Sequence, residues 1–395
     1  MIFTLEALEA KHGDSLLLHY GEAADPRLVL IDGGPKGVYK KSLKPRLGQI
    51  VQALHPGDPL EIRLMMVSHI DDDHIQGIIE LASAIEKGGD DAPFDVVTLW
   101  HNAFDDIAGN VAAIGGSSPA SVASIAAMTG AAPPGVDFPP DAAAVVANVS
   151  QGRKLRDLAA AMSWNVNWGF SKLVQAPKDG VAEKDLGDGL TFKVIGPAQT
   201  RLDALHTDWD SKIAEWRTAH GHGTTVQPAA ADLQAIVAEF VDDSVYNLSS
   251  IVVLAEAKVG GKARSMLLTG DARGDYIVEE MEKAKLLKSG RLHVDILKMP
   301  HHGSSRNIRP SFLKSITADH YVFSANGRDD NPDVETLEQL VEARKKDEYV
   351  IHLTNPVPHA VKTLKDAAPG HKFKLDVRED PALSLKVDLG EAVTF

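Results

Sequence analysis

Short apolar runs and turn-prone stretches alternate along the first third of the chain. Residues 2–7, 15–20 and 28–32 are apolar or β-rich, and Lys11-His12-Gly13-Asp14 and residues 21–26 separate them. This pattern predicts three strands, the last stopped by Gly33-Gly34-Pro35. Residues 45–54 have helical spacing, with Pro45 in the first turn, where a proline is tolerated. Residues 62–68 are almost continuously apolar, as in a strand covered on both faces. Directly afterwards Ile75, Ile78, Ile79, Ala82 and Ile85 recur at the period of a helix, and Gly88-Gly89 supplies its stop. Residues 96–100 read as another buried strand.

Beyond residue 103 the rhythm weakens. Residues 103–180 are rich in Ala, Gly, Ser and Pro and predict a partly helical insertion. Residues 200–245 predict a second insertion, helical around a break at 220–228. Strand patterns return at 190–195, at 250–256 and 265–268 (a hairpin across Val259-Gly260-Gly261), and at 294–299, 320–324, 349–353, 372–377 and 383–387. A helix is expected at 334–345. No internal repeat is visible. Elements interleaved in this way suit one layered α+β domain over residues 1–395.

Composition narrows the chemistry. The chain has 395 residues and no cysteine, so disulfides and thiolate metal ligands are excluded. A net charge of −14 argues against a broad nucleic-acid-binding face, though not against a local one. No apolar run reaches the roughly 18–20 residues a bilayer span needs. The opening Met1-Ile2-Phe3-Thr4-Leu5-Glu6 lacks a basic region and an apolar leader core. A cytoplasmic protein is the expectation.

His69, Asp71, Asp73 and His74 fall within six residues, between a predicted buried strand and a predicted helix. The helix N-terminus offers free N–H groups and a positive dipole, which suit carboxylates. His69 and Asp71, two apart, point the same way in an extended chain, whereas Asp73 and His74 turn into the helix. Imidazoles and carboxylates without a thiolate suit Zn, Mn or Fe better than Ca. The competing explanation is a helix N-cap cluster. Capping accounts for one aspartate, not for three with two flanking histidines.

The segment resembles the His-x-His-x-Asp-His signature of the metallo-β-lactamase superfamily, with Asp71 where the second histidine usually stands. That variant is similar to the hydrolase domain of the competence protein ComEC and its soluble relatives. Other pieces agree in order: Gly13-Asp14-Ser15; Leu30-Ile31-Asp32-Gly33-Gly34; Asn247-Leu248-Ser249-Ser250; Leu267-Leu268-Thr269-Gly270-Asp271; Lys298-Met299-Pro300-His301-His302-Gly303-Ser304; and Ser324-Ala325-Asn326-Gly327 through Asn331-Pro332. The resemblance implies a four-layer αββα sandwich with metals at one edge of its two sheets. It implies that His69 and Asp71 hold one metal and Asp73 and His74 a second. Asp271 would bridge, and His301 or His302 would complete the site. Asp73, His74 and Asp271 would be the catalytic set, and Asp32 would orient a ligand histidine. Zn or Mn ions about 3.5–4 Å apart suit phosphodiester hydrolysis by a metal-activated hydroxide. Ser304 and Ser305 would contact a phosphate oxygen. Asp71 replaces a histidine ligand, and Asn247 or Ser250 stands where another is usual. These departures predict a weaker first position, more tolerant of Mn or Mg, with a one-metal enzyme as the alternative.

Other candidates carry two readings each. His101 is an accessory ligand, a substrate contact or an ordinary loop histidine. Asp14 approaches the metals or only forms a turn. His206, His220 and His222 lie in the second insertion, where His220-Gly221-His222 either binds metal or sits in a surface loop. His352 and His359 fall in a late strand-loop region from which one could reach the site. Trp209 and Trp216 read as packing residues in preference to base-stacking ones. Lys36, Lys40, Lys41, Lys44 and Arg46 either guide an anionic substrate or line a solvated face. Function stays open at three points. The first is a phosphodiesterase or nuclease. The second is a hydrolase of a small lactone, thioester or cyclic nucleotide, roofed by the insertions. The third is a non-catalytic member of a multi-protein system, such as a bacterial defence assembly, docking through residues 112–147. Nucleic-acid and protein partners both remain open, whereas no membrane association is expected. Fold analogy does not choose among substrates.

Overall fold

The computed structural model describes residues 1–54, 56–88, 93–103, 140–203, 218 and 249–395. Strands β1 (Ile2–Leu8), β2 (Leu16–Glu22) and β3 (Asp25–Ile31) form an antiparallel meander, and β4 (Leu60–Met66) joins β3 in parallel. β5 (Phe94–Val96) and β6 (Thr98–Trp100) both pair with β4, and β7 (Asn165–Val166) adds to β6. The predicted strand at 96–100 is therefore two short strands parted at Val97. The second sheet is built from β8 (Ala182–Asp185), β9 (Leu190–Gly196), β10 (Val252–Val259), β11 (Lys262–Leu268), β12 (Leu292–Lys298), β13 (Ile316–Phe323), β14 (Glu348–Leu353) and β15 (Lys372–Val377), in the reverse of chain order. β16 (Ser384–Asp388) returns to the first sheet beside β1, so each sheet has eight strands.

The period of two along the strands sorts apolar side chains between layers. Leu16, Leu18, Val29 and Ile31 face Phe192, Val253, Leu268 and Ile296 of the other sheet, while Leu17, Leu28 and Leu30 face outward to helices. Helices α1 (Lys44–Leu54), α2 (Asp72–Lys87) and α3 (Pro140–Ala161) cover that outer face, through Leu47, Ile78 and Leu155 among others. On the far side, Leu254, Leu297 and Tyr321 pack against α4 (Gly274–Lys283), α5 (Pro310–Ser315), α6 (Val334–Ala343) and α7 (Pro358–Ala367). The architecture is an α+β sandwich of two sheets between helical layers, as expected.

Three differences from the sequence expectation follow from local chemistry. α4, α5 and α7 were not anticipated. α5 has six residues, too few to show a period, and Pro358 opens α7 at its first turn instead of marking a loop. Part of the first predicted insertion belongs to the layers: α3 sends Leu155 and Ala159 into the core, and β7 extends the sheet. Arg46 is not on a basic surface. It is buried on α1 with its Nη2 3.1 Å from Glu6 Oε2, and His19 Nε2 lies 2.8 Å from the same oxygen. Burial opposes the charge on Glu6, but these two partners outweigh it and hold the carboxyl down at about 2. Lys41 pairs with Glu9 at 3.3 Å. Among the described residues no helix is long and apolar enough to cross a membrane.

Candidate metal centre

β3 runs parallel to β4, and β11, β12 and β13 are parallel neighbours. The loops at the C-terminal ends of these strands meet at one place. Asp32 follows β3, Ser68 and His69 follow β4, Asp271 follows β11, His301 and His302 follow β12, and Ser324 follows β13. Two close backbone approaches set the first half. Gly33 N–H donates to the His74 carbonyl at 2.8 Å, and Gly77 N–H to the Gly34 carbonyl at 3.0 Å. A Cβ on Gly77 would lie 1.9 Å from the Gly33 carbonyl oxygen, so the loop after β3 sits directly against α2. Likewise a Cβ on Gly13 would lie 1.8 Å from the Asp73 carbonyl oxygen, which brings Asp14 against the first turn of the same helix.

Asp71 occupies the N-cap position of α2, yet its side chain makes no capping hydrogen bond. Its Oδ2 lies 3.4 Å from His69 Nε2. Asp72 turns away and accepts from Gln76 and Gln151. The capping explanation of the aspartate cluster therefore fails for Asp71. His301 and His302 both have left-handed backbones (φ 45° and 54°), as does Asp32 (φ 58°). Such conformations cost free energy in non-glycine residues and persist only where surroundings fix them.

The hydrogen bonds that fix them share one form. His74 Nδ1 donates to Asp32 Oδ2 at 2.9 Å, and His302 Nδ1 donates to the Ser324 carbonyl at 2.9 Å. His301 Nδ1 donates to Asn307 Oδ1 at 2.8 Å, and His69 Nδ1 to Ser68 Oγ at 3.0 Å. Ser68 in turn donates its N–H and its hydroxyl to Asp32, each at 2.7 Å. Every imidazole thus uses Nδ1 on the protein and turns Nε2 toward Asp271. The Nε2 atoms of His74 and His302 lie 3.4 Å from its carboxylate oxygens, that of His301 3.6 Å and that of His69 3.8 Å. His302 Nε2 is also 3.3 Å from Asp73 Oδ2. A histidine whose Nδ1–H is held by an oxygen presents its Nε2 lone pair to a cation.

Behind His302 lies a buried ion pair between Lys298 and Asp14, whose Oδ1 is 3.4 Å from His302 Nδ1. Burial opposes ionisation of Asp14, but Lys298, His302 and His74 outweigh it and hold its carboxyl at about 2. Burial also disfavours charge on His74 and His302, yet the carboxylates around them, Asp271 first, push both well above the usual histidine range. The same imidazoles hold Asp271 and Asp73 below the usual carboxylate range against burial. The pocket is thus a buried pool of negative charge that attracts cations, protons included.

The residues fit a metal ion. His69 Nε2, His74 Nε2, His302 Nε2 and Asp271 Oδ1 are buried without a hydrogen bond. Buried polar atoms left in this way are costly unless something unites them. Among the described residues, four groups have ligand atoms within 4.8 Å of one another, among them His69, His74 and Asp271; Asp73, His74 and His302; and Asp14, Asp32 and His74. Asp14 joins Asp271 and His302 in the fourth. The donors are nitrogen and oxygen only. His302, buried between Asp73 and Asp271 and a member of two of these groups, is the better placed of the histidine pair; His301 is more exposed.

Other expectations fare unevenly. Asp32 has the orienting position. Ser250 is buried with an unbonded hydroxyl, near Ser68 and Gly270. Ser304 shapes the turn after His302, its N–H donating to the His301 carbonyl. His101 is buried against α3, with Nε2 3.1 Å from the Gly152 carbonyl, and burial pushes it down to about 4. It is in none of the groups able to hold a metal. His359 bonds the Pro332 carbonyl, and His352 lies between His320 and Asp376. Asn247, His206, His220, His222, Trp209 and Trp216 lie outside the described residues, as do residues 112–139 of the expected docking segment. Sequence reasoning missed Ser68, Lys298, Asn307 and the Ser324 carbonyl. Only Lys298 left a signal: a lysine inside a continuous apolar strand needs a buried partner. No family model matches the chain, and no curated protein matches it.

Proposed function

We propose that the chain is a metal-dependent hydrolase of the metallo-β-lactamase type, resembling the soluble ComEC-like members, and that it cleaves phosphodiesters. One observation carries this reading: four imidazoles spend Nδ1 on the protein and converge through Nε2 on Asp271. His69, Asp71 and Asp271 would hold one divalent cation, and Asp73, His74 and His302 a second, with Asp271 shared. Zn or Mn suits these nitrogen and oxygen donors. When bound, such ions supply Lewis acidity and hydroxide at neutral pH.

The chain's own residues prepare that chemistry. Asp32 fixes the ring of His74, and the Ser324 carbonyl and Asp14 fix that of His302. Lys298 neutralises Asp14, which leaves Asp71, Asp73 and Asp271 as the negative charge facing the cations. Burial of His69, His74 and Asp271 keeps bulk water from their ligand atoms. The order of motifs from Asp14 to His302 and the two-sheet sandwich support the family assignment.

The test is elemental analysis of protein purified without chelator, beside an Asp73→Ala/His74→Ala double variant. The expected result is about one or two equivalents of Zn, Mn or Fe in the wild type, lost in the variant, with Mn-stimulated hydrolysis of a chromogenic phosphodiester. Negligible metal in both proteins after reconstitution removes the hydrolase reading.

A further inference from the structure

The loop before β2 and the loop after β13 meet at the rim of this centre. Ser324 Oγ donates to the Gly13 carbonyl at 2.6 Å, and Asn355 Nδ2 donates to the Ala325 carbonyl at 2.8 Å. Next to this seam, Arg328 Nη1 donates to His12 Nε2 at 2.8 Å, across 316 residues of chain. His12 stands immediately before Gly13, which packs on the Asp73 backbone, and it lies within electrostatic reach of Asp73 and His302. Arg328 is therefore a cation at the mouth of the pocket, with its side chain 61 % exposed.

Its anchoring differs from that of other arginines in the fold. Arg46 is buried on Glu6, and Arg378 bonds the Thr354 and Ala382 carbonyls and Asp380. Those contacts consume the guanidinium. Arg328 is instead braced by an imidazole, an uncharged acceptor at the nitrogen facing it. Its nearest carboxylate is Asp329, which is itself exposed and 3.5 Å away. Among the described residues its Nη2 makes no hydrogen bond. A positioned guanidinium with an open N–H edge recognises an oxyanion through charge-assisted hydrogen bonds. In a chain of net charge −14, an anionic substrate needs such a local cation to approach.

We propose that Arg328, braced by His12, is the substrate-anion contact of this centre and binds a non-bridging oxygen of a phosphodiester. This favours an anionic substrate over a neutral lactone or thioester. The reaction part rests on the hydrolase reading; the binding part does not.

The test uses the metal-reconstituted full chain, with thymidine 5′-monophosphate p-nitrophenyl ester as the probe, in Arg328→Ala, Arg328→Lys and His12→Gln. Calorimetric affinity is expected to fall roughly 10- to 100-fold in Arg328→Ala, with partial retention in Arg328→Lys and a smaller loss in His12→Gln. Bound metal, measured in the same samples, should stay at the wild-type level. If the wild type turns over, kcat/KM should fall more on this anion than on neutral p-nitrophenyl acetate. A weakened affinity in a protein that hydrolyses nothing upholds the anion contact and removes the hydrolase reading alone. Unchanged affinity in Arg328→Ala, or equal losses on the charged and neutral substrates, overturns the proposal.

Discussion

At the scale of single residues, the centre depends on how buried charge is balanced. Lys298 is fully buried, and Asp14 is its partner. Removing one member of such a pair strands the other, which costs about 3–5 kcal/mol, whereas replacing both is far milder. Lys298→Met should therefore lower stability by about that amount in chemical denaturation, and Asp14→Asn/Lys298→Met should recover much of it. A double variant whose loss equalled the sum of the Asp14→Asn and Lys298→Met losses would show that the two charges are not coupled. The legibility of the site follows the same logic. His69 to His74 could be read because their relation is local and the strand-to-helix junction sets it. The choice between His301 and His302 could not, because it depends on two successive left-handed residues and on a carbonyl at Ser324, far along the chain. Asn307 escaped notice because it acts through His301 and the Asp271 carbonyl, not on its own.

At the scale of elements, α2 links the sequence pattern to the chemistry. Its apolar positions Ile75, Ile78, Ile79 and Ala82 bury one face in the core, and this sets the direction of His74. What the pattern does not encode is how closely the helix approaches its neighbour. Gly77 meets Gly33 backbone to backbone, and no side chain can yield there. Gly77→Ala should cost about 1–3 kcal/mol, the usual range for overpacking. It should weaken metal binding as well, because it separates His74 from Asp32. Denaturation and a competitive chelator titration check the two effects. A variant that lost stability but kept wild-type metal affinity would show that α2 does not position the ligands through this contact. The unanticipated helices α5 and α7 mark the limit of periodicity as a guide. One is too short to show a period, and the other begins at prolines that equally suit a loop.

At the scale of the molecule, the centre is a joint between two sheets. Asp14, Asp32 and His69 come from loops of the first, Asp73 and His74 from the first turn of α2 that packs on it, and Asp271, His301 and His302 from loops of the second. A cation held by both would act as a staple, stabilising the fold by about 2.7 kcal/mol at a free concentration 100 times its Kd. The pH dependence should then change sign with metal. Without a cation, His74 and His302 carry protons held by Asp271, Asp73 and Asp14, and both are raised well above the ordinary 6.5. A raised value gives stability that is complete below about 6.5 and is lost as pH climbs through the folded value. The lowered carboxyls of Asp14, Asp73 and Asp271 give stability that is lost only as pH falls below their ordinary 3.8, outside this window. In chelator, Tm should therefore decline as pH rises above about 6.5. With saturating Zn the cation displaces those protons, so binding tightens as pH rises and Tm should climb over the same interval. Parallel curves, with no shift on adding Zn, would mean that the two sheets are joined by protons alone and that no cation uses the centre.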